Sequence, residues 1–358
     1  MSEQLEQKTL RVAVIGASGY GGMELARLLA IHPRAQLTVA TASGERAGAP
    51  ISELFPALRG VCDIVCEEFD IDEIARRADF AFIALGHGKA MEIVPQLLER
   101  GLKVCDLGGD FRLKDAAVYQ TWYHTPHLSP STLDLAVYGL PEWHREKIAD
   151  ARLVANPGCY PTSAILALAP FSVANGIETE SVIVDAASGT SGAGRSSFGL
   201  GLHHPEASDD FKAYKVGTHQ HTPEIEQILN EVSSANAPLC VTFTAHLLPI
   251  ARGILATCYA TLREPLTTED AHRVLDLAYQ DEPFVRVHPI GNLPQIKHVV
   301  GSNFCDLGVV VDSRTNRLIV IAAIDNLVKG AAGQAVQNMN LMSGFAENDG
   351  LQSAPLFP

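Results

Sequence analysis

No run of about 18 uninterrupted apolar residues occurs in the 358-residue chain, and its opening MSEQLEQK is polar, without the apolar core of a secretory leader. Both absences point to a soluble protein of the cytoplasm. Basic residues are scarce: 27 Lys and Arg stand against 41 Asp and Glu, a formal net charge of −14. A field of that sign repels phosphate backbones and anionic lipid, which argues against nucleic-acid and membrane partners. Cysteine is limited to 7, an odd number at no repeating spacing, so a disulfide framework is not expected and the compartment is expected to be reducing. Cys62 and Cys66 form a lone C-x-x-x-C without a second ligand pair, too little for zinc. Internal repeats and low-complexity linkers are also missing.

What the chain has is apolar material, 47% of its residues, enough for roughly two domains at about 150 residues each. Residues 10–15 form a β-branched run that stops at Gly16 and gives way at 23–31 to apolar residues at helical spacing. Strand-like runs at 37–41, 80–85 and 103–107 alternate with helical patterns at 71–77 and 90–100. That alternation predicts a doubly wound parallel sheet. From about Cys159 the texture changes. One apolar helix over 163–171 is followed by strand-like runs at 181–186, 241–247, 254–261, 307–311 and 318–324 with few helices between, which predicts an α+β domain on a largely antiparallel or mixed sheet. The boundary falls near 155–157.

Gly16-Ala-Ser18-Gly19-Tyr20-Gly21-Gly22 sits between a strand and a helix, the context of a phosphate-binding turn. Glycines there let the backbone approach a pyrophosphate, and the first N–H groups of the helix receive it. The end of the second strand carries Thr41, Ala42 and Ser43, then Arg46, where an acid would take the ribose 2′-hydroxyl of NAD. A missing acid beside an arginine favours NADP; a solvated loop charge is the competing reading of Arg46.

Asn156-Pro-Gly-Cys159-Tyr-Pro161-Thr162 is the most informative stretch. Pro161 suits the first turn of a helix, so Cys159 lies at the positive end of a helix dipole, which favours thiolate over thiol. A nucleophile and a structural turn cysteine are the two readings. His219-Gln-His221-Thr222-Pro223-Glu224 precedes a helix over 224–232, with Thr222 expected as its N-cap. An extended backbone before that cap would turn both histidines to one cavity. Acid/base catalysis, a metal pair lacking a third ligand, and two structural histidines all fit. Arg112 in Asp106-Leu-Gly-Gly-Asp110-Phe-Arg112, and Arg195 closing the glycine-rich loop from Ser188 and Gly189, could each clamp an anion or serve as ordinary ion-pair arginines. Gly86 and Gly88 follow a strand end and leave room for a flat cofactor ring, as would any turn.

A nucleotide turn, an activated thiol, a histidine and arginines together suit reduction of an acyl phosphate to an aldehyde. A metal-dependent hydrolase using His219 and His221 and a non-catalytic nucleotide-sensing module are the readings of other classes.

The motifs GASGYGG (16–22), DLGGDFR (106–112), YGLPE (138–142), NPGCYPT (156–162), SGTSGAGR (188–195), HQHTPE (219–224) and DNLVKGAAGQAVQNMN (325–340), in this order, resemble the long type of N-acetyl-gamma-glutamyl-phosphate reductase, in the semialdehyde dehydrogenase family. Gly108-Gly109 stands where many relatives carry Ser-Ala. The resemblance implies a Rossmann-like NADP-binding domain over 1–156, to which a C-terminal helix over 326–358 returns, and a catalytic, substrate and dimerisation domain over 157–325. It implies Cys159 as the acyl-accepting nucleophile, His219 or His221 as acid/base, Asn326 near the nicotinamide, and Glu224, Ser188 and Gly189 beside the substrate. The implied reaction is NADPH-dependent reduction of N-acetyl-L-glutamyl 5-phosphate to the 5-semialdehyde and inorganic phosphate in arginine biosynthesis, by a homodimer or homotetramer without a metal. An aminoadipyl or aspartyl phosphate is the alternative substrate.

Overall fold

The computed structural model describes residues 9–196 and 199–357. Two compact units emerge, the first from residues up to Lys114 with His127–Asn156 and Ala332–Gln352, the second from Asp115–Pro126, Pro157–Ala331 and the tail beginning at Ser353.

The first unit holds seven strands: β1 (Leu10–Ile15), β2 (Ala35–Thr41), β3 (Cys66–Glu67), β4 (Phe80–Ile83), β5 (Lys103–Asp106), β6 (Ala136–Tyr138) and β7 (Leu153–Ala155). Their order is β3-β2-β1-β4-β5-β7-β6, and every neighbouring pair is parallel. Val12, Ala13 and Val14 of β1 and Phe80, Ala81 and Phe82 of β4 are all buried, which is why a strand covered on both faces reads as an unbroken apolar run. The direction of winding reverses between β1 and β4, the point at which such a sheet opens a crevice at its carboxyl edge. The helix Tyr20–Leu29 begins three residues earlier than its apolar spacing predicts and so takes in Gly21 and Gly22.

The helix Gly333–Met342 packs against the helices Tyr20–Leu29 and Pro141–Asp150 and against β5. It is shorter than the 326–358 segment expected to return to this unit. Gly344, at φ 68, follows its C-cap and ends it, and Leu356 N–H donates to Val300 O (2.8 Å) within the second unit. The helix Ala116–Tyr123, capped by the Asp115 side chain, also groups with the second unit although it falls inside 1–156.

The second unit's sheet comprises β8 (Val182–Gly189), β9 (Lys212–Tyr214), β10 (Val241–Leu248), β11 (Ile254–Thr261), β12 (Val285–Val287), β13 (Cys305–Asp312) and β14 (Arg317–Ile324), in the order β12-β13-β14-β11-β8-β10-β9. It is mixed: β8–β10 and β12–β13 are parallel and the other pairs antiparallel. The helix Cys159–Val173 lies against β11 and β14 with Tyr160 through Ser172 all buried, as an element apolar on every side must. Along β11, buried Ile254, Ala256, Cys258 and Ala260 alternate with half-buried Leu255, Thr257 and Tyr259. Ile183, Asp185 and Val310 lie exposed on the opposite face of this sheet. Among the described residues no helix is long and apolar enough to cross a membrane.

Candidate active site

In the first unit, the turn after β1 is shaped by two contacts. Gly16 has φ 94, and a Cβ on it would lie 2.6 Å from Ala84 O; a Cβ on Gly22 would lie 2.4 Å from Gly16 O. Only glycine fits either place. Gly19 is the N-cap of the helix opened by Tyr20, with no side-chain cap and no acid in the first turn, so backbone N–H groups there suit an anion. Ser18 and Gly21 are half-buried beside them. Thr41, at the end of β2, accepts from Gly16 N–H through Oγ1 (3.2 Å) and from Ala17 N–H through its carbonyl (2.8 Å). The residue standing where an acid is usual is therefore committed to the glycine turn. Ser43 is exposed, and Arg46, closing the short turn Gly44–Arg46, makes no ion pair among the described residues. Gly86 and Gly88 border open space, and Gly88 N–H donates to Asp110 Oδ1 (2.7 Å). The second oxygen of Asp110 accepts from Ala90 N–H (3.0 Å) at the start of the helix Ala90–Glu99.

Arg112 is buried in this unit. Its Nε donates to Asn156 O and its Nη2 to Leu107 O, both at 2.8 Å, so these donors tie main-chain segments together. Asp106, also buried, accepts from Gly108 N–H (2.9 Å); burial first, then the nearby Asp110, pushes its carboxyl up to about 7.

In the second unit, Cys159 is the first residue of the helix Cys159–Val173, with Gly158 as N-cap and no acid in the first turn. The half-buried sulfur lies at the positive end of a 15-residue helix, an arrangement that stabilises thiolate. Burial acts oppositely on other thiols, pushing Cys66 up to about 11, Cys258 to about 12 and Cys105 well above its ordinary value. Those sulfurs stay protonated and inert. Glu224, fully buried in the first turn of the helix Thr222–Val232, accepts from Gly158 N–H through Oε1 (2.7 Å), and Thr162 Oγ1 donates to Gly158 O (2.9 Å).

The two histidines meet, though not by the expected route. Their ring centroids lie 4.7 Å apart, yet the backbone is a turn rather than extended: Thr222 N–H donates to His219 O (3.0 Å), and His221 has φ −80 and ψ −13. His221, not Thr222, is the N-cap, and Thr222 is the first helical residue. His221 N–H donates to His219 Nδ1 (3.1 Å), which assigns the His219 proton to Nε2. Burial, reinforced by Lys215, lowers His219 to about 4, so it is neutral at physiological pH. The Tyr160 ring faces both histidines, at 5.6 and 5.9 Å, and its hydroxyl shares a hydrogen bond with Tyr214 Oη (3.0 Å). Burial raises both phenols, and negative charge on Cys159 raises them further, so the thiol and the two phenols interact electrostatically. Among the described residues no group of three His, Cys, Asp or Glu side chains is placed to hold a metal ion.

Ser188 and Gly189 end β8 rather than open a loop, because they pair with Leu247 and Leu248 of β10. Arg195 is half-buried beyond the turn Thr190–Ala193. Asn326 accepts from Gly253 N–H through Oδ1 (2.7 Å) and donates from Nδ2 to Ser191 Oγ (2.9 Å), clipping that turn to the β10–β11 connection. Sequence reasoning passed over Tyr214, Arg252 and Asp325. Asp325, buried, accepts from Gly301 N–H (2.7 Å) and pairs with Arg252 Nη1 (3.3 Å). Its place in the quoted DNLVKG segment was the available signal.

The chain matches two family models, semialdehyde dehydrogenase NAD binding domain over residues 11–151 and semialdehyde dehydrogenase dimerisation domain over 159–326. It is 53% identical over 350 residues to a protein named N-acetyl-gamma-glutamyl-phosphate reductase from Desulfotalea psychrophila, covering 98% of this chain and 100% of that one. A protein of the same name from Pelotomaculum thermopropionicum is 52% identical over 349 residues, covering 98% and 99%. Among solved structures, aspartate semialdehyde dehydrogenase II from Vibrio cholerae shares the fold with a TM-score of 0.71 at 18% identity, covering 94% of this chain and 99% of that one. Aspartate semialdehyde dehydrogenase with NADP from Candida albicans has a TM-score of 0.71 at 16% identity, covering 95% and 99%.

Proposed function

Because this chain belongs to the N-acetyl-gamma-glutamyl-phosphate reductases of the semialdehyde dehydrogenase family, we propose that it reduces N-acetyl-L-glutamyl 5-phosphate to N-acetyl-L-glutamate 5-semialdehyde and inorganic phosphate, a step of arginine biosynthesis in the cytoplasm. The observation that carries the reading is Cys159, a half-buried thiol at a helix start whose neighbour Tyr160 faces the histidine pair, while Cys66, Cys105 and Cys258 are buried and raised.

Cys159 thiolate attacks the acyl carbon; the acyl–phosphate bond breaks, phosphate leaves with the bonding pair, and a thioester remains. Dinucleotide chemistry supplies a hydride to the thioester carbon. The tetrahedral adduct on sulfur then collapses to aldehyde and thiolate, with a histidine holding the proton of its oxygen. His221 takes that part in our reading. A group lowered to about 4 is a weak base at neutral pH, so His219 serves instead as acceptor for the His221 main-chain N–H and fixes the turn that carries its partner.

NADP(H) fits the residues present. Gly16 and Gly22 leave a cradle that a Cβ would fill, the helix start at Gly19 to Tyr20 is uncapped, and Arg46 has no ion-pair partner among the described residues. Ser18, Gly21, Ser43, Gly86, Gly88 and Asn326 complete our assignment. On the substrate side we assign Arg195, Ser188 and Gly189. Arg112 and Glu224 act on the backbone that carries the site. The exposed face of the second sheet, with Ile183 and Val310, supports a homo-oligomer.

The acyl chain is tested by the reverse, phosphate-dependent oxidation of a panel of semialdehydes. One methylene is worth about 1–3 kcal/mol in a pocket, so the N-acetylglutamate semialdehyde should exceed its aminoadipate homologue by about 10-fold or more. A preference for the aminoadipate or aspartate semialdehyde would reassign the substrate.

A further inference from the structure

Two local features near the C-terminal end of the second unit break ordinary helical rules. Val328–Ala332 is a turn of π-helix, and Gly330 N–H within it donates to Asp325 O five residues back (2.9 Å). Such turns are rare and cluster at functional sites. Glycine in a helical segment is also unfavourable, and Gly330 has no positive φ to require it. Its requirement comes from outside the turn: a Cβ on Gly330 would lie 2.8 Å from Cys159 Cβ and 3.3 Å from Cys159 Cα. The first distance is too short for two carbons, and neither atom belongs to a flexible side-chain end.

Asp325 holds the turn. Its Oδ1 accepts from Leu327 N–H (2.8 Å) and Val328 N–H (3.2 Å), and its Oδ2 accepts from Gly301 N–H (2.7 Å) and pairs with Arg252 Nη1 (3.3 Å). Asp325 is fully buried, so these donors satisfy a charge that would otherwise be costly. Cys159 is thus set between two anchored backbones: Gly158 tied to Glu224 before it, and the face of Gly330 against its Cβ.

We propose that the π-turn Val328–Ala332 is a positioning element for the nucleophile, with Gly330 as a wall without a side chain that fixes the Cβ of Cys159 and Asp325 as the residue that fixes the wall. The proposal rests on Cys159 being the nucleophile. A methyl group on Gly330 would push Cys159 off the helix axis, moving its sulfur from the N–H groups that favour the thiolate and from the attack line on the acyl carbon.

The test compares wild-type, Gly330→Ala and Cys159→Ser enzymes as full chains. Displacement of the reacting atom by about 1 Å costs on the order of 100-fold in rate, so Gly330→Ala should lose about that much kcat with NADPH binding unchanged. The pH midpoint for alkylation of Cys159 by iodoacetamide should rise, a readout that a merely structural glycine would not move. If Gly330→Ala matches wild type in both kcat and alkylation midpoint while Cys159→Ser is inactive, the positioning role is overturned and the nucleophile stands. If Cys159→Ser keeps its rate, the reading beneath it fails. Should Gly330→Ala not fold, Asp325→Asn decides: a loss of about 10-fold or more in kcat with a changed alkylation profile supports the proposal, and a wild-type profile with wild-type kcat overturns it.

Discussion

The backbone N–H of Gly158 donates to Oε1 of Glu224 across 2.7 Å, joining the starts of two helices through a fully buried carboxylate. Hydrogen bonds to charged groups are worth about 1.5–3 kcal/mol. Glu224→Ala is expected to lower thermal stability by about that amount and to reduce kcat, because the residue before Cys159 loses its tether. Glu224→Gln, which keeps an acceptor oxygen, should recover part of both. Calorimetry and initial rates check this; an Ala variant with wild-type stability and rate would remove the tether from the account.

Arg46 follows a strand end whose Thr41 is committed to the glycine turn. Losing a guanidinium–phosphate contact costs about 1.5–3 kcal/mol, so Arg46→Ala should raise KM for NADPH by about 10–100-fold and leave NADH nearly unaffected. Equal losses with both dinucleotides would remove the 2′-phosphate contact.

His219 and His221 should behave unequally. Replacing His221 by Gln is expected to lower kcat and flatten one limb of the pH–rate profile. His219→Gln should lower kcat less and keep both limbs, since a group lowered to about 4 does not titrate in the working range. The reverse pattern would exchange their roles.

How far the molecule could be read beforehand depended on how local each cause is. The apolar runs of β1 and β4, covered on both faces, announced a parallel sheet, and NPGCYPT announced a helix start at Cys159 because Pro161 and the following apolar residues act within one turn. Strands of two or three residues such as Cys66–Glu67 and Val285–Val287 carry no measurable period. The histidine turn is not legible in the spacing of His219 and His221, because Gly217, at φ 70, and the bond from Thr218 N–H to Lys215 O bend the chain just before it. The π-turn was illegible for a different reason: its cause is a contact with Cys159, about 170 residues away in sequence.

Asp106 sets a pH dependence. Its carboxyl is raised from 3.8 to about 7 in the folded protein, so the unfolded chain releases this proton first. The group favours folding fully below 3.8, and that contribution is lost as pH rises toward about 7. Asp106→Asn, which keeps an acceptor for Gly108 N–H, should therefore gain stability over wild type between about pH 4 and about pH 8. Thermal melts at the two ends measure it, and a pH-independent difference would contradict it.

The most direct measurement mixes enzyme with the acyl phosphate in the absence of NADPH and maps the product by mass spectrometry. One acyl group is expected on the Cys159 sulfur, formed with release of one phosphate and discharged as aldehyde when NADPH is added. Turnover without such an adduct, or an adduct on another residue that is equally competent, would contradict it.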